Sequence, residues 1–235
     1  MTSKEIMNEL EALGSDSIKK ILLKHGAKEP LFGVKIEHLK PIQKKIKQDY
    51  ALANELYLTK NMDAMYLAGL IADDEKMTKA DLQKWVKLAV SNNISEYTVP
   101  WVAAGSKHGF ELAVEWIDSE QEHIAAAGWC TLSGLVALKP DEDLDMPAIK
   151  KLLARVAKDI RKAKGREMNA MNGFVIAVGC YVKDLTNEVM FVAGKMGAIT
   201  VDASGNPCKL PDAATYIKKQ IDKGQVGKKK KILKC

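Results

Sequence analysis

Residues 2–26 read TSKEIMNELEALGSDSIKKILLKHG and show the pattern that recurs along the chain. Apolar side chains three or four positions apart lie on one face of an α-helix, and the first half of the stretch has three of them: Ile6, Leu10 and Leu13. Thr2 and Glu5 form a capping-box pattern at the start, and Gly26 is a stop signal at the end. The stretch therefore predicts two short helices in a hairpin.

The same helical period recurs over most of the sequence, with short polar turns between the helices. Helix pairs follow one another at roughly 30 to 45 residues, which is close to the period of HEAT and armadillo repeats, although no strict repeat motif occurs. The sequence therefore predicts an all-α protein, a HEAT-like or armadillo-type superhelix, in one domain over residues 1–223. Residues 224–235 are a lysine-rich tail, which we interpret as a mobile cationic arm.

One segment interrupts the helical pattern. Residues 198–210 carry β-branched side chains followed by a turn signal at Gly205 and Asn206. We predict a short β-hairpin here, between the last two helices, and an irregular loop is the alternative.

Composition excludes several classes of protein. With 235 residues and 47% hydrophobic content, the chain is able to bury a core. Its apolar stretches stay below the roughly 18 to 20 residues of a transmembrane helix, and its first residues do not resemble a signal peptide, so we expect a soluble, cytoplasmic protein that inserts into no membrane. The cysteines form no CxxC pair and no glycine-rich phosphate loop occurs, so we expect no metal site, no disulfide framework and no cofactor.

The formal net charge is +6 at pH 7, and the basic side chains are clustered. Four lie on one face of the helix predicted at residues 147–164: Lys151, Arg155, Lys158 and Lys162. Others lie on the polar face of the helix predicted at residues 36–47 and in the tail: Lys40, Lys44, Lys228, Lys229, Lys230 and Lys231. Solvated helix faces usually mix both signs, so these clusters predict contacts with nucleic-acid phosphates; a merely soluble surface is the alternative.

Two stretches resemble the AlkD-like DNA alkylation repair superfamily: residues 30–47, which begin PLFGVK, and residues 94–101, which read ISEYTVPW. The similarity continues through residues 116–119 and 172–175, so it covers most of residues 30–182. It implies a right-handed superhelix of HEAT-like repeats whose concave face holds duplex DNA by its backbone. In active members it also implies excision of cationic alkylated bases without full base flipping.

The resemblance also implies a set of cleft residues. Glu96 falls at the position of the aspartate that stabilises the positive sugar in active glycosylases, where a carboxylate acts electrostatically. Phe174 falls at the position of a cleft tryptophan, and we place Tyr97 and Trp101 in the same cleft. Two positions depart from the pattern, since Asn92 replaces a tryptophan and Ala126 replaces an arginine that contacts the DNA backbone.

These departures resemble the branch of the superfamily called AlkF and AlkG, which keeps the fold, adds a β-hairpin and binds DNA without evident glycosylase activity. We therefore expect a monomeric protein that binds duplex or branched DNA on a basic concave face and has weak or no glycosylase activity. Two alternatives stay open. One is an active DNA glycosylase that excises N-alkylated purines with Glu96 at its centre, and the other is a helical-repeat scaffold that binds an acidic protein.

Overall fold

The computed structural model describes residues 1–203 and 206–234, and it describes side chains outside residues 201–209. Its internal contacts divide the chain into two compact units. The N-terminal unit comprises residues 1–108 together with Lys234, and the C-terminal unit comprises residues 109–233. The single domain expected over residues 1–223 stays a prediction.

The N-terminal unit consists of helices, as the periodicity predicts. They are α1 (Ser3–Ala12), α2 (Asp16–Lys24), α3 (Ile36–Ile46), α4 (Tyr50–Leu58), α5 (Met62–Ile71), α6 (Lys79–Leu88), a π-helical turn (Ile94–Thr98) and α7 (Val99–Gly105). The capping box predicted at α1 is confirmed, because Thr2 Oγ1 accepts the Glu5 N–H at 3.2 Å and Glu5 Oε2 accepts the Thr2 N–H at 2.8 Å. Thr78 and Asp81 form a second capping box at the start of α6.

The core of the N-terminal unit surrounds α5, every residue of which is buried. Beside it, the Tyr57 and Trp85 rings stack with centroids 3.9 Å apart and planes 6° from parallel. The polar atoms of both rings are satisfied, since Tyr57 Oη donates to the Trp85 carbonyl at 2.7 Å and Trp85 Nε1 donates to Asn54 Oδ1 at 3.0 Å. The contacts of Tyr57 and Asn54 with Trp85 therefore hold α4 against α6.

A buried carboxylate holds the loop that leads into α3. Asp63, on α5, accepts three backbone N–H groups, from Phe32 at 2.6 Å, Gly33 at 3.1 Å and Val34 at 2.9 Å. Gly33 has a φ of 79°, and a Cβ there would lie 2.6 Å from the Lys19 nitrogen, so only glycine fits this position. The start of α3, and with it the placement of the α3 lysines, depends on this contact.

The C-terminal unit is also mainly helical. Its elements are α8 (Gly109–Trp116), α9 (Glu122–Leu138), α10 (Met146–Asp159), α11 (Gly165–Tyr181), α12 (Thr186–Met196), β1 (Thr200–Ala203), β2 (Asn206–Lys209) and α13 (Ala213–Asp222), with short 3₁₀ turns at Asp141–Asp143, Ile160–Lys162 and Lys183–Leu185. α9 and α11 form its centre, where the fully buried Trp129 and Phe174 rings lie 5.4 Å apart. A Cβ at Gly128 would lie 2.8 Å from the Ala113 carbonyl, so this glycine permits the close approach of α8 to α9.

Two segments of this unit refine the sequence-based boundaries. The helix predicted over residues 147–164 begins where the Asp145 side chain accepts the Ala148 N–H, and it ends at Asp159 in a 3₁₀ turn. Within the predicted hairpin region 198–210, β1 and β2 pair antiparallel with Thr200 opposite Lys209. The predicted turn at its tip includes residues 204 and 205, which lie outside the described residues. Among the described residues, no helix combines the length and the apolar character that a membrane span requires.

The tail is attached, which corrects its interpretation as a mobile arm. In the C-terminal unit, the Gly227 N–H donates to the Cys180 carbonyl at 2.8 Å, and Lys229 Nζ lies 2.7 Å from Asp141 Oδ1 and 2.8 Å from the Val136 carbonyl. In the N-terminal unit, Lys234 Nζ lies 2.6 Å from Asp74 Oδ1 and donates to the Ala72 carbonyl at 2.8 Å. The Lys229 and Lys234 side chains are 19% and 8% exposed, and each ammonium has a carboxylate and a carbonyl as partners.

The Asp74 contact predicts a specific pH dependence. Burial raises the pKa of Asp74 to about 6 from its usual 3.8, although the Lys234 ammonium lowers it. A carboxyl whose folded-state pKa is raised binds its proton more readily in the folded state, so its contribution to stability falls as the pH rises through this interval. In Asp74→Asn this contribution is absent. Urea titrations should therefore show the stability of the variant relative to wild type increasing from about pH 4 to pH 6, by at most about 3 kcal/mol, and then levelling off. A constant difference across that interval would contradict the assignment.

Candidate nucleic-acid interface

The chain forms a π-helical turn at Ile94–Thr98, directly before α7. Pro100 lies near the start of α7; it has no N–H, and a proline ring clashes with the carbonyl four residues earlier in a regular helix, here that of Glu96. The Val99 N–H bonds to the Ile94 carbonyl, five residues back, which is the π-helical pattern. Such turns are frequent at functional sites because they redirect side chains.

This turn places two neighbouring side chains in different environments. Glu96 is 6% exposed, whereas Tyr97 is 51% exposed. The Tyr97 ring lies edge-on to Trp101, with centroids 6.1 Å apart, and Trp101 in turn lies edge-on to Tyr66 at 5.5 Å. Trp101 and Tyr66 are buried, so they form a firm base for the exposed ring.

The arrangement suits contact with a nucleic acid or with a developing positive charge. An exposed tyrosine ring on a rigid base is a stacking platform for a nucleobase or a sugar. The neighbouring carboxylate, largely removed from water, interacts more strongly with a cation than it would on an open surface. Four predicted cleft residues thus occur within one ten-residue segment of the N-terminal unit: Asn92, Glu96, Tyr97 and Trp101.

The two remaining predicted cleft residues belong to the C-terminal unit, and both are fully buried. Phe174 packs against Trp129 and lines a cavity of about 220 Å³ together with Leu132 and Ile149. Ala126 lies on the buried side of α9. The structure thus places both in the core of this unit, and their part in a cleft stays a prediction.

The basic side chains predicted on one face of α10 are of two kinds, exposed ones and one that is held by other residues. Lys151 and Lys158 are exposed on the helix, and Lys162 lies in the 3₁₀ turn 3.5 Å from Asp159. Arg155 Nη1 lies 2.7 Å from Asp118 Oδ1, Nη2 donates to the Ile117 carbonyl at 3.1 Å, and the guanidinium lies 5.8 Å from the Trp129 ring centroid. With a side chain only 36% exposed, Arg155 ties α10 to the end of α8 and has less freedom to meet a phosphate.

The other predicted lysines show the same division. On α3, Lys44 is exposed and Lys40 is half-buried. In the tail, Lys228, Lys230 and Lys231 are exposed, whereas Lys229 is held by Asp141. Among the side chains that the structure describes, which exclude those of residues 201–209, no carboxylate pairs with Lys40 or Lys44 on α3 or with Lys151 or Lys158 on α10. On these two helices, four ammonium groups are therefore available to an anionic partner.

Sequence reasoning missed two residues that support this region. Tyr66 supports Trp101 from α5, and Asp63 positions the loop before α3. Both occur in an apolar helix, where Tyr66 looks like a core residue. Asp63 lies in the first turn of α5, two residues after the N-cap Asn61, where an acidic residue is common. The sequence therefore carried no signal that Asp63 also binds the loop before α3.

The chain is similar to one protein family and to two bacterial proteins. A family model described as DNA alkylation repair enzyme matches residues 6–171. The uncharacterized protein Lin0241 of Listeria innocua is 31% identical, and Lmo0209 of Listeria monocytogenes is 30% identical, each over 225 residues that cover 93% of this chain and 97% of the relative.

A solved structure also matches over its full length. It is described as representing "a new family of proteins related to the HEAT-like repeat DNA glycosylases with affinity for branched DNA structures". The two chains are 36% identical and superpose with a TM-score of 0.93, covering 100% of each. Because the family model spans most of the sequence and the relatives cover nearly all of it, this chain belongs to the DNA alkylation repair enzyme family.

Proposed function

We propose that this protein binds DNA, preferentially branched DNA, by contacts between its exposed lysines and the phosphate backbone, and that it does not excise bases. The observation that carries the proposal is the full-length similarity to a protein with affinity for branched DNA, at 36% identity. The four available lysines of α3 and α10 supply its physical basis. Ammonium groups without carboxylate partners can contact DNA phosphates, and the release of counterions from the DNA then favours binding.

Finer features belong to the same proposal. We infer that the helices form a HEAT-like superhelix with a basic concave face, and that the protein acts as a cytoplasmic monomer. The HEAT-like description of the similar structure supports the first inference. The chain uses no metal or organic cofactor for this function, since phosphate contacts require none.

The direct test compares two DNA structures. Fluorescence anisotropy would measure the dissociation constants for a four-way junction and for a fully paired duplex of the same length, over a range of salt concentrations. We expect tighter binding of the junction and weaker binding of both as salt rises. Absence of binding to either DNA would overturn the proposal, and equal affinity would restrict it to DNA in general.

Excision of alkylated bases is the second candidate function, and the buried Glu96 beside the exposed Tyr97 is the observation that favours it. A carboxylate at this position would stabilise an oxocarbenium-like sugar. The chain nevertheless lacks two groups that the family's active members have, since Asn92 supplies no aromatic face and Ala126 supplies no cation. Cation–π contact with a charged base is worth on the order of 0.5 to 2 kcal/mol, so the loss favours binding without excision.

The variant Glu96→Gln separates these functions, because the amide keeps the shape of the side chain and removes its charge. We expect wild type to release no methylated purine from methylated duplex DNA above the spontaneous rate, and the variant to behave alike. The measurement quantifies free methylated purines after incubation with excess protein. Substantial release by wild type that disappears in Glu96→Gln would establish a glycosylase and refute the proposal of binding alone.

A further inference from the structure

We propose that a pocket of the C-terminal unit, enclosed by α11, α13 and the attached tail, binds a single unpaired nucleotide. The inference rests on the proposed DNA binding and deepens it, because it names the part of a branched DNA that the pocket recognises. It involves residues far along the chain from the π-helical turn of the N-terminal unit.

The pocket has the size of a small-ligand site. Its volume is about 290 Å³, just below the roughly 300 to 1,000 Å³ usual for ligand pockets. Small residues of α11, Gly173 and Ala177, line one side, and a Cβ at Gly173 would meet no heavy atom within 4 Å. The space beside α11 is therefore open to a planar group.

Two tyrosines line the pocket. Tyr181, at the end of α11, is half-buried, and Tyr216, on α13, is exposed. Tyrosine rings stack on nucleobases of any sequence, because every base has a π-face. Two glutamines, Gln220 and Gln225, line the same space, and their amides offer both donors and acceptors to the edge of a base.

The charge of the pocket fits a phosphate. Lys228 and Lys230 line it, and none of its described lining residues is acidic. Between them in sequence, Lys229 is bound to Asp141, and Lys230 donates its backbone N–H to the Ala137 carbonyl at 2.8 Å. The tail that carries the two ammonium groups is thus anchored before any ligand arrives, which lowers the entropic cost of binding.

This combination points to one occupant. Aromatic rings alone would suit many planar molecules, and lysines alone would suit any anion. Rings, amides and ammonium groups within one small pocket match the base, the base edge and the phosphate of a nucleotide. A paired base is already stacked and hydrogen-bonded, whereas a nucleotide at a branch point or a bulge is available at little cost.

The test uses the full chain and two duplexes of identical flanking sequence, one fully paired and one with a single bulged adenosine. The quantity measured is the ratio of their dissociation constants. We expect wild type to prefer the bulged duplex by about tenfold, the order that one base–aromatic stack provides. In Gly173→Leu the leucine side chain fills the pocket and removes a helix-disfavouring glycine, so we expect the fold to persist and the preference to vanish.

Gly194→Leu is the matched control. Gly194 lies on α12, does not line the pocket, and likewise has no heavy atom within 4 Å of a built Cβ, so the preference should be retained. Tyr216→Ala should also abolish the preference, and Tyr216→Phe should keep it, because stacking needs the ring alone. Equal binding of both duplexes by wild type, or a preference that survives Gly173→Leu, would overturn this inference alone. Failure to bind either duplex would overturn the proposed function as well.

Discussion

Replacing Asp63 with alanine is expected to lower the free energy of unfolding by roughly 4 kcal/mol, because three backbone N–H groups lose a charged acceptor. The Phe32, Gly33 and Val34 amides are held in a tight loop, and at least two of them are buried with the carboxylate. Unpaired buried donors retain their desolvation cost when the acceptor is removed. Chemical denaturation followed by circular dichroism would measure the loss.

Asp63→Asn is the graded control. Oδ1 accepts the Val34 N–H, whereas Oδ2 accepts those of Phe32 and Gly33. An asparagine retains one oxygen acceptor and places an NH₂ donor where the other oxygen was, so its stability should lie between those of wild type and Asp63→Ala. If Asp63→Ala unfolded at the same denaturant concentration as wild type, the carboxylate would not be what holds the loop.

Replacing the four available lysines of α3 and α10 with alanine should produce the largest change in DNA binding. Each phosphate contact contributes about 0.9 to the slope of log affinity against log salt, so loss of all four would reduce its magnitude by as much as about 3.6. The positions are Lys40, Lys44, Lys151 and Lys158. Arg155 is left intact, because its contacts with Asp118 and the Ile117 carbonyl make its removal a change in stability as well.

A control variant removes the same charge elsewhere. Four exposed lysines of α1, α2 and α12 suit this purpose: Lys4, Lys20, Lys24 and Lys195. Their replacement lowers the net charge equally, and we expect a much smaller change in slope because they lie outside the proposed interface. Equal slopes for the two variants would show that net charge alone governs binding, and would remove α3 and α10 from the interface.

Local signals made the helices predictable. The capping box at Thr2 joins residues three apart, so it is visible in the sequence and occurs in the structure. The all-helical class follows from this periodicity, and the resemblance at residues 30–47 and 94–101 led to the family that the comparisons confirm. The position of Glu96 and Tyr97 beside each other was also evident, but their difference in exposure was not, because it depends on a π-helical turn caused by Pro100.

The sequence by itself determined the helical class, because periodicity and caps involve only neighbouring positions, and it determined the number of basic residues. The family followed from the resemblance at residues 30–47 and 94–101. Only the tertiary structure decided which charges remain available. The Lys229 ammonium pairs with Asp141, and the Lys234 ammonium pairs with Asp74, which lies 160 positions earlier in the sequence, so the tail is attached. Arg155 is paired with Asp118, whereas Lys151 stays exposed. A lysine looks the same in sequence whether or not a distant carboxylate lies next to it. The difference arises from burial, which only the packing of distant segments produces.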